Sequence, residues 1–481
     1  MRRRLRGSVA EPRPRGTQPA GAAAGRGDGR GDGRRVDVDP ARLAAFDVLK
    51  TVRVDKAYTN LVLPAAIAHY KLSGRDAAFT TELASGTIRL RGTYDPVIAA
   101  CSDRPLTKIE ARVLDALRLG AHQLLSMRVP AHAAINTTVD LVRLRTGPAA
   151  AGFTNAVLRK VSEHDLDQWV ARVAPDHRTS PTKHDAIAFS HPEWVVEELR
   201  GAVGSIELPA LLAADNVPPA VTLVARPGRS TVDELPGSPT PYSPYGVVLA
   251  GGDPGAVPAV AEGRAGVQDE GSQLVATLLA DAQLEGPDLR WLDLCAGPGG
   301  KSALLAGLAA QRGATLTANE LQPHRAGLVA RSLRGADGVA GIVTGDGTRP
   351  PYRASTFDRV LVDAPCTGLG ALRRRPEARW ARKPDDLVTL VMLQRSLVNA
   401  AFDLVRPGGL LLYATCSPVL SETATVASAI AQHRRDVVLE DASGLLPQVP
   451  DCAGPVPGTI QLWPHRHGTD AMFMALFRRV A

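Results

Sequence analysis

The stretch RWLDLCAGPGGKSALLAGLAAQ, residues 290–311, decides the fold. A short apolar run, a glycine-rich turn and a helix-like run follow one another within it. The same texture repeats downstream. ATLTANEL precedes PHRAGLVARSL, and VAGIVTGDG, FDRVLVDAP, the helix-like DLVTLVMLQRSLVNAAFDLV and GGLLLYATCS come after. Short buried strands alternating with helices predict a doubly wound, mostly parallel α/β sheet of Rossmann-like type over 281–481. Such sheets bind ligands beyond the carboxyl ends of their strands, where the strand order reverses.

The turn itself fails two nucleotide patterns. A phosphate-cradling GxxxxGK[ST] loop needs glycine where Cys295 stands, and a dinucleotide fingerprint needs its third glycine where Ser302 stands. What remains is a tight turn that lets a ligand lie close to the backbone at a helix N-terminus. Glycine turns and capping aspartates also occur without ligands, so the neighbours decide. Asp293 closes the first strand. Glu320 closes the second, where a carboxylate can accept from both hydroxyls of a ribose. Asp346, in TGDGT, closes the third and can accept from an exocyclic amine. A nucleoside site without phosphate features points to S-adenosylmethionine, with its carboxylate at the helix N-terminus and Lys301.

Two further strand ends carry thiols. Asp363 ends FDRVLVD, Cys366 follows three residues later, and Cys416 ends GGLLLYATC. C5 of a pyrimidine is a poor nucleophile. A thiolate adding to C6 makes C5 enamine-like and able to take a methyl group, which is covalent catalysis by an activated nucleophile. An acid or hydrogen-bonding group on the base edge stabilises the addition, and the C5 proton must then leave. Asp363, Cys366 and Cys416 supply such a set, and the chemistry alone leaves open which cysteine attacks. Cys101, Cys295 and Cys452 read as ordinary core thiols, although Cys295 lies in the glycine loop.

Outward from these motifs the chain divides further. Residues 36–165 place apolar residues at spacings of three and four in ARLAAFDVLKTV, DAAFTTELASGTIRL and KIEARVLDALRLGAHQLLSM, which predicts an all-α domain. Asp76 and Thr107 stand where N-caps are expected. The polar stretch 166–184 reads as a linker, and 185–280 as a mixed subdomain preceding the catalytic sheet. Residues 1–35 read as a disordered basic tail. Its ten arginines against Glu11, Asp28 and Asp32 account for the whole formal charge of +7, so the remainder is neutral. The tail suits a solubilising extension and a non-specific RNA-binding arm equally. No apolar run reaches the roughly 18 residues of a membrane span, and no apolar stretch follows the N-terminal arginines as in an export signal. The five cysteines are therefore expected to be reduced in a cytoplasmic protein. None has CxxC spacing, so no metal is expected.

The second half resembles the RNA cytosine-C5 methyltransferases, through DLCAGPGGK, DAPCTGLG and YATCS. AYTNLVLP, RDAAFTTELASGTIR and GFTNAVLRKV resemble the NusB-type RNA-binding domain as it occurs fused to such enzymes. The combination resembles the RsmB (Sun/Fmu)-type 16S rRNA methyltransferases over about 36–481. The resemblance implies that Cys416 is the nucleophile, that Cys366 assists product release, and that Asp363 binds the cytosine edge. It implies further that Cys295, Ala296, Gly297, Pro298, Gly299, Gly300, Lys301, Glu320, Asp346 and Asp363 line S-adenosylmethionine.

Two departures stand out: Gly297 replaces a second alanine usual in the loop, and TLVARPG replaces the usual TLRVN. Arg373, Arg374, Arg375 and Arg379, just past the catalytic turn, are expected to meet RNA phosphates near a flipped cytosine. The substrate expected is 16S rRNA, free or partly assembled, bound by a monomer with no membrane partner. The competing readings are another RNA cytosine-C5 methyltransferase, such as one for tRNA, and a non-catalytic RNA-binding assembly factor. An amino-methylating enzyme fits less well, because its strand-four motif is Asn/Asp-Pro-Pro-aromatic.

Overall fold

The computed structural model describes residues 38–480; the expected basic tail, 1–35, lies outside the described residues. Seven helices fill the first region, from Pro40–Asp55 to Ala151–Val161. Their sequence logic is ordinary amphipathic packing. In Pro40–Asp55, Asp39 accepts from the Ala41 N–H, proline occupies the first turn, and Ala41, Ala44, Ala45, Phe46, Val48 and Leu49 are buried. Helix Ala111–Leu125 runs through the middle, contributing to both apolar clusters of the domain. Two expected caps are displaced. Asp76 lies inside the first turn of Gly74–Arg89, and Thr107 lies in a 3-10 turn ahead of Ala111–Leu125.

The stretch 166–184 is not the plain linker its polarity suggests. It holds helix Leu166–Val173 and the start of Pro181–Ala188. A reciprocal Asp165–Gln168 cap starts the first, and Trp169 is buried with its indole N–H donating to the Val161 carbonyl. One tryptophan outweighs a charged surface face.

After two more helices the chain forms a small antiparallel sheet of β1 (Thr222–Ala225), β2 (Gly237–Pro239), β3 (Gly246–Leu249) and β4 (Ala265–Val267), ordered β2-β3-β1-β4. Helix Glu270–Asp281 leads into the main sheet. Its strands are β5 (Arg290–Asp293), β6 (Thr315–Glu320), β7 (Val339–Thr344), β8 (Phe357–Asp363), β9 (Val405–Thr415), β10 (Val437–Leu439), β11 (Ile460–Gln461) and β12 (Phe473–Arg479). The order is β10-β12-β9-β8-β5-β6-β7, with β11 paired beside β12. Strands β5 to β9 are parallel, while β12 enters antiparallel between β9 and β10. The order reverses between β5 and β8, so the carboxyl ends carrying Asp293 and Asp363 flank the crevice.

Alternation along the strands explains the layering. Trp291, Leu361, Leu410, Leu412 and Ala414 face helices Glu270–Asp281 and Gly300–Gln311. Leu292, Val360, Val362, Leu411 and Tyr413 face helices Pro384–Leu404 and Ala424–His433. Pro384–Leu404 corrects the expectation about apolar length: by length and composition it could cross a membrane. Here it packs on β8 and β9, burying Gln394, Leu397, Val398, Ala401 and Phe402.

Candidate active site

The glycine loop 295–299 leaves the end of β5 and turns into helix Gly300–Gln311. Beneath it Asp293 is buried, and its Oδ2 accepts from Ser302 Oγ at 2.6 Å. Burial pushes this carboxyl up to about 7. Glu320, the last residue of β6, accepts from the Gly297 N–H at 3.0 Å and the Gln322 N–H at 2.9 Å. Arg325 closes over the same corner, donating to the Gly297 carbonyl at 2.6 Å. A Cβ on residue 297 would lie 2.1 Å from Glu320 Oε2. An alanine here would require the ends of the Glu320 and Arg325 side chains to shift.

Around this loop several buried polar atoms have no protein partner: Asp293 Oδ1, Asn319 Oδ1 and both amide atoms of Gln268, which lies beside Gly300. Buried polar groups are ordinarily paired. These four atoms and the open backbone turn fit a polar ligand at this place. Asp346 stands two residues beyond β7 on the same edge, exposed, with Oδ1 accepting from the N–H and hydroxyl of Thr348.

The thiols meet next to this loop. Cys366 Sγ lies 3.4 Å from Cys416 Sγ. Lys301 Nζ donates to Asp363 Oδ2 at 2.8 Å, which holds the lysine in its charged form despite its burial. The Cys416 thiol is held below the usual range. Its cause is first the hydrogen bond from Cys366, then the positive charges of Arg375 and Lys301, against burial and Asp363. Cys366 is pushed the other way by that same bond, by burial and by Glu422. The two shifts are opposite, so Cys416 is the sulfur of the pair that gives up its proton more readily. Cys416 is also the more exposed of the two. Burial raises Cys101, Cys452 and Cys295, as suits thiols that do not react.

The turn that carries Cys366 is pinned by residues far along the chain. Glu422, fully buried, accepts from the Thr367 N–H at 2.8 Å, from the Thr367 hydroxyl, and from Gln394 Nε2 at 3.0 Å. Gln394 also donates to the Pro365 carbonyl. The Gly370 N–H reaches the Cys416 carbonyl at 2.9 Å, tying the two cysteine loops together. Among the described residues no cluster of three metal-binding side chains occurs.

Comparison with known proteins bears on this geometry. The profile of the RsmB/F 16S rRNA methyltransferases matches 280–478, and that of the NusB family matches 39–163. A putative methyltransferase of Mycobacterium tuberculosis is 51% identical over 93% of this chain and 98% of its own. A probable ribosomal RNA small subunit methyltransferase B of Bacillus subtilis is 30% identical over 90% of this chain and 98% of its own. The chain belongs to the RsmB/F family of 16S rRNA methyltransferases. The crystal structure of PH0851 shares the fold over 92% of this chain and 99% of its own, with TM-score 0.75 and 22% identity. NSun6 from Pyrococcus horikoshii, solved with SFG, shares it over 60% of this chain and 98% of its own, with TM-score 0.52 and 17% identity. As an RsmB/F protein, the chain is an S-adenosylmethionine-dependent methyltransferase.

Within this RsmB/F protein the expected arginine contacts need correction. Arg379 is fully buried and donates to the Ser190 and Asp215 carbonyls and to Asn216 Oδ1. Arg373 is buried and donates to the Gly468 carbonyl, and Arg374 is paired with Asp269 and Asp470. Arg373 and Arg379 are spent inside the protein, so they cannot meet phosphates, and half-buried Arg374 is held by two carboxylates. Arg375 is half-buried, over the Tyr58 ring at 5.2 Å, with its charge acting on Cys416. Lys301, expected at a carboxylate of the cofactor, instead pairs with Asp363 beside the thiols. Sequence reasoning missed Gln268, Asn319, Arg325, Gln394 and Glu422, because none belongs to a short motif.

The Arg379 pocket yields a prediction. Buried Asp215 has no protein hydrogen bond at either oxygen and lies 3.6 Å from His191 Nε2. Burial pushes its carboxyl up to about 7, against the opposing charges of Arg379, Arg373 and His465. The folded form thus keeps a proton that the unfolded chain releases. The stability this group contributes is present below about pH 4 and is lost as pH rises through 7. Asp215→Asn is expected to raise the Tm at pH 8 by roughly 2–4 °C, with the gain shrinking toward pH 4. Calorimetry across that range checks it; an equal Tm change at every pH would count against it.

Proposed function

We propose that the protein transfers a methyl group from S-adenosylmethionine to C5 of a cytosine in 16S rRNA, through a covalent bond between Cys416 and C6. The observation that carries this reading is the pair of thiols 3.4 Å apart, next to the Lys301–Asp363 ion pair, at the crevice of the sheet. Bound S-adenosylmethionine supplies a sulfonium methyl. Gly297, Gly299 and Gly300 give it an open backbone, Glu320 takes its ribose, and Asp346 its adenine amine. Gln268, with an unpartnered donor and acceptor, suits an amino-acid end. The SFG held by NSun6, an analogue of this cofactor, supports the assignment.

The chain's own residues do the rest. Lys301 and Arg375 keep Cys416 as the thiolate, which adds to C6. Asp363 meets the base edge by accepting from the cytosine amine, while Lys301 beside it offsets the negative charge that the addition develops on the ring. After C5 has gained its methyl group, a solvent water takes the C5 proton, the freed electron pair restores the C5–C6 double bond, and Cys416 leaves C6 as the thiolate. The Cys366 thiol, already aimed at Cys416 Sγ, hydrogen-bonds the departing thiolate and so favours release. The helical NusB-type region docks the RNA, and the enzyme works as a cytoplasmic monomer.

The test is incubation of protein-free 16S rRNA with labelled cofactor, followed by nucleoside digestion. Label in 5-methylcytidine supports the reading. Label on another base, or labelling of tRNA alone, overturns it. A cofactor prediction belongs here: Glu320→Ala is expected to weaken S-adenosylmethionine binding by roughly ten- to a hundredfold by calorimetry, the value of hydrogen bonds to a charged group. An unchanged Kd would remove Glu320 from the site.

A further inference from the structure

The segment that follows the Cys366 turn is held at two ends. At one end it belongs to the thiols: Gly370 N–H donates to the Cys416 carbonyl, and Arg382 donates to the carbonyls of Cys366 at 3.3 Å and Thr367 at 3.2 Å. At the other end it is seated in the helical region. Trp380 Nε1 donates to the Ile88 carbonyl at 2.8 Å, with Arg91 over its ring at 5.6 Å. The indole fills the space where Gly92 lacks a side chain, for a Cβ there would lie 2.5 Å from Trp380 Cη2. Thr59 Oγ1 donates to Glu377 Oε2 at 2.7 Å in a buried bond, and Arg89 donates to the Arg373 carbonyl at 3.3 Å. Tyr58, the neighbour of Thr59, carries Arg375 on its ring.

A docking module that only tethered RNA would need none of this. Its contacts would fall anywhere convenient on the catalytic domain. Besides bonds among Arg89, Gly92, Thr93, Ile187 and Ser190, they converge on the few residues between Arg373 and Arg382, a segment that follows Gly370, bonded to the Cys416 carbonyl, and ends at Arg382, bonded to the Cys366 carbonyl. Glu377 makes the seat demanding: its Oε1 is buried without a protein partner, so Oε2 depends on Thr59. Loss of that hydroxyl removes the side-chain bond to a buried carboxyl and leaves it only its backbone partners at Thr59 and Glu377, which is an incentive for the segment to move.

We propose that the helical region is part of the methyl-transfer machinery as a positioning element: Thr59 through Glu377, Gly92 and Ile88 through Trp380, and Tyr58 directly, hold segment 373–382, whose Arg382 fixes the Cys366 and Thr367 carbonyls beside Cys416. The proposal rests on Cys416 being the nucleophile. Tyr58, Thr59 and Gly92 touch no reacting atom. They act through this segment: Arg382 holds the backbone of the Cys366 turn, and the charge of Arg375, seated on the Tyr58 ring, favours the Cys416 thiolate.

The experiment uses the full chain and measures the rate of alkylation of Cys416 by iodoacetamide against pH, read by peptide mass spectrometry. It runs beside kcat and KM for 16S rRNA. Tyr58→Ala, which alters an exposed side chain and leaves the core alone, and Thr59→Val are expected to slow alkylation at pH 7.5 roughly threefold to tenfold, an ordinary coupling between contacting groups. Their profiles shift to higher pH, and kcat falls while KM holds. Tyr58→Phe keeps the wild-type profile. Gly92→Leu, which unseats Trp380, gives the largest shift. Tyr58→Ala adds nothing further on top of Arg375→Ala. Profiles of Tyr58→Ala and Thr59→Val that superimpose on wild type overturn the proposal, and so does a change in KM alone, which is what a tether predicts. If Cys416→Ser still methylates RNA, the assigned nucleophile is wrong, and the alkylation profiles still report separately whether the helical region controls that thiol.

Discussion

Cys416→Ser is expected to abolish methyl transfer, by at least about a thousandfold in a single-turnover assay with labelled cofactor, as removal of a nucleophile does in other covalent enzymes. The argument is electrostatic. The Cys366 S–H, Arg375 and Lys301 together hold the Cys416 thiol below the ordinary range. A serine hydroxyl starts several units higher, and the same three groups cannot ionise it near neutral pH. The wild-type rate should therefore climb with the thiolate fraction and level off below the pH of about 8.5 at which an unassisted cysteine ionises. A rate still rising steeply above that pH, or a serine variant within tenfold of wild type, would contradict the assignment. Binding of S-adenosylmethionine should survive the substitution, because Cys416 follows the end of β9 while the glycine loop follows β5.

The second large effect has the opposite character. Cys366→Ala is expected to leave bond formation intact and to trap the protein on its RNA. Once Cys416 has bonded to C6, only elimination frees the product, and the leaving sulfur has lost the donor 3.4 Å away that would stabilise it. Release should slow by roughly 10²–10⁴, the usual worth of a positioned proton donor. A protein–RNA band that survives denaturing electrophoresis, absent in the Cys416→Ser/Cys366→Ala double variant, is the signature. If the band forms with Cys416→Ser alone instead, Cys366 is the nucleophile and the roles are exchanged.

The α/β half could be read from sequence because its information is local. Strand, glycine turn and helix lie within twenty residues of each other, and strand-end residues must share one edge in a doubly wound sheet. That is why Asp293, Glu320, Asp363, Cys366 and Cys416 could be picked before their distances were known. The arginines after the turn were misread for the complementary reason. Charge in a run of loop residues looks solvated, and nothing nearby in sequence announces that Asp269, Asp470, Asn216 and the Ser190 carbonyl will close around it. Glu422 and Gln394 were invisible likewise, since their value lies in reaching across from another element to the Thr367 turn. The stretch 166–184 shows the same limit on a smaller scale. Its polarity was visible, but the burial of Trp169 was not.

The antiparallel insertion of β12 between β9 and β10 sets a timetable for biogenesis. The helical region closes on near neighbours in sequence, so it can fold while synthesis continues. The thiol pair cannot. Gly370, which bonds the Cys416 carbonyl through its N–H, gives its own carbonyl to the Ala471 N–H, and β9 gains its second neighbour only when 473–479 arrive. A nascent chain already carrying both cysteines and the whole glycine loop therefore still lacks the Ala471 bond to Gly370 and the second neighbour of β9.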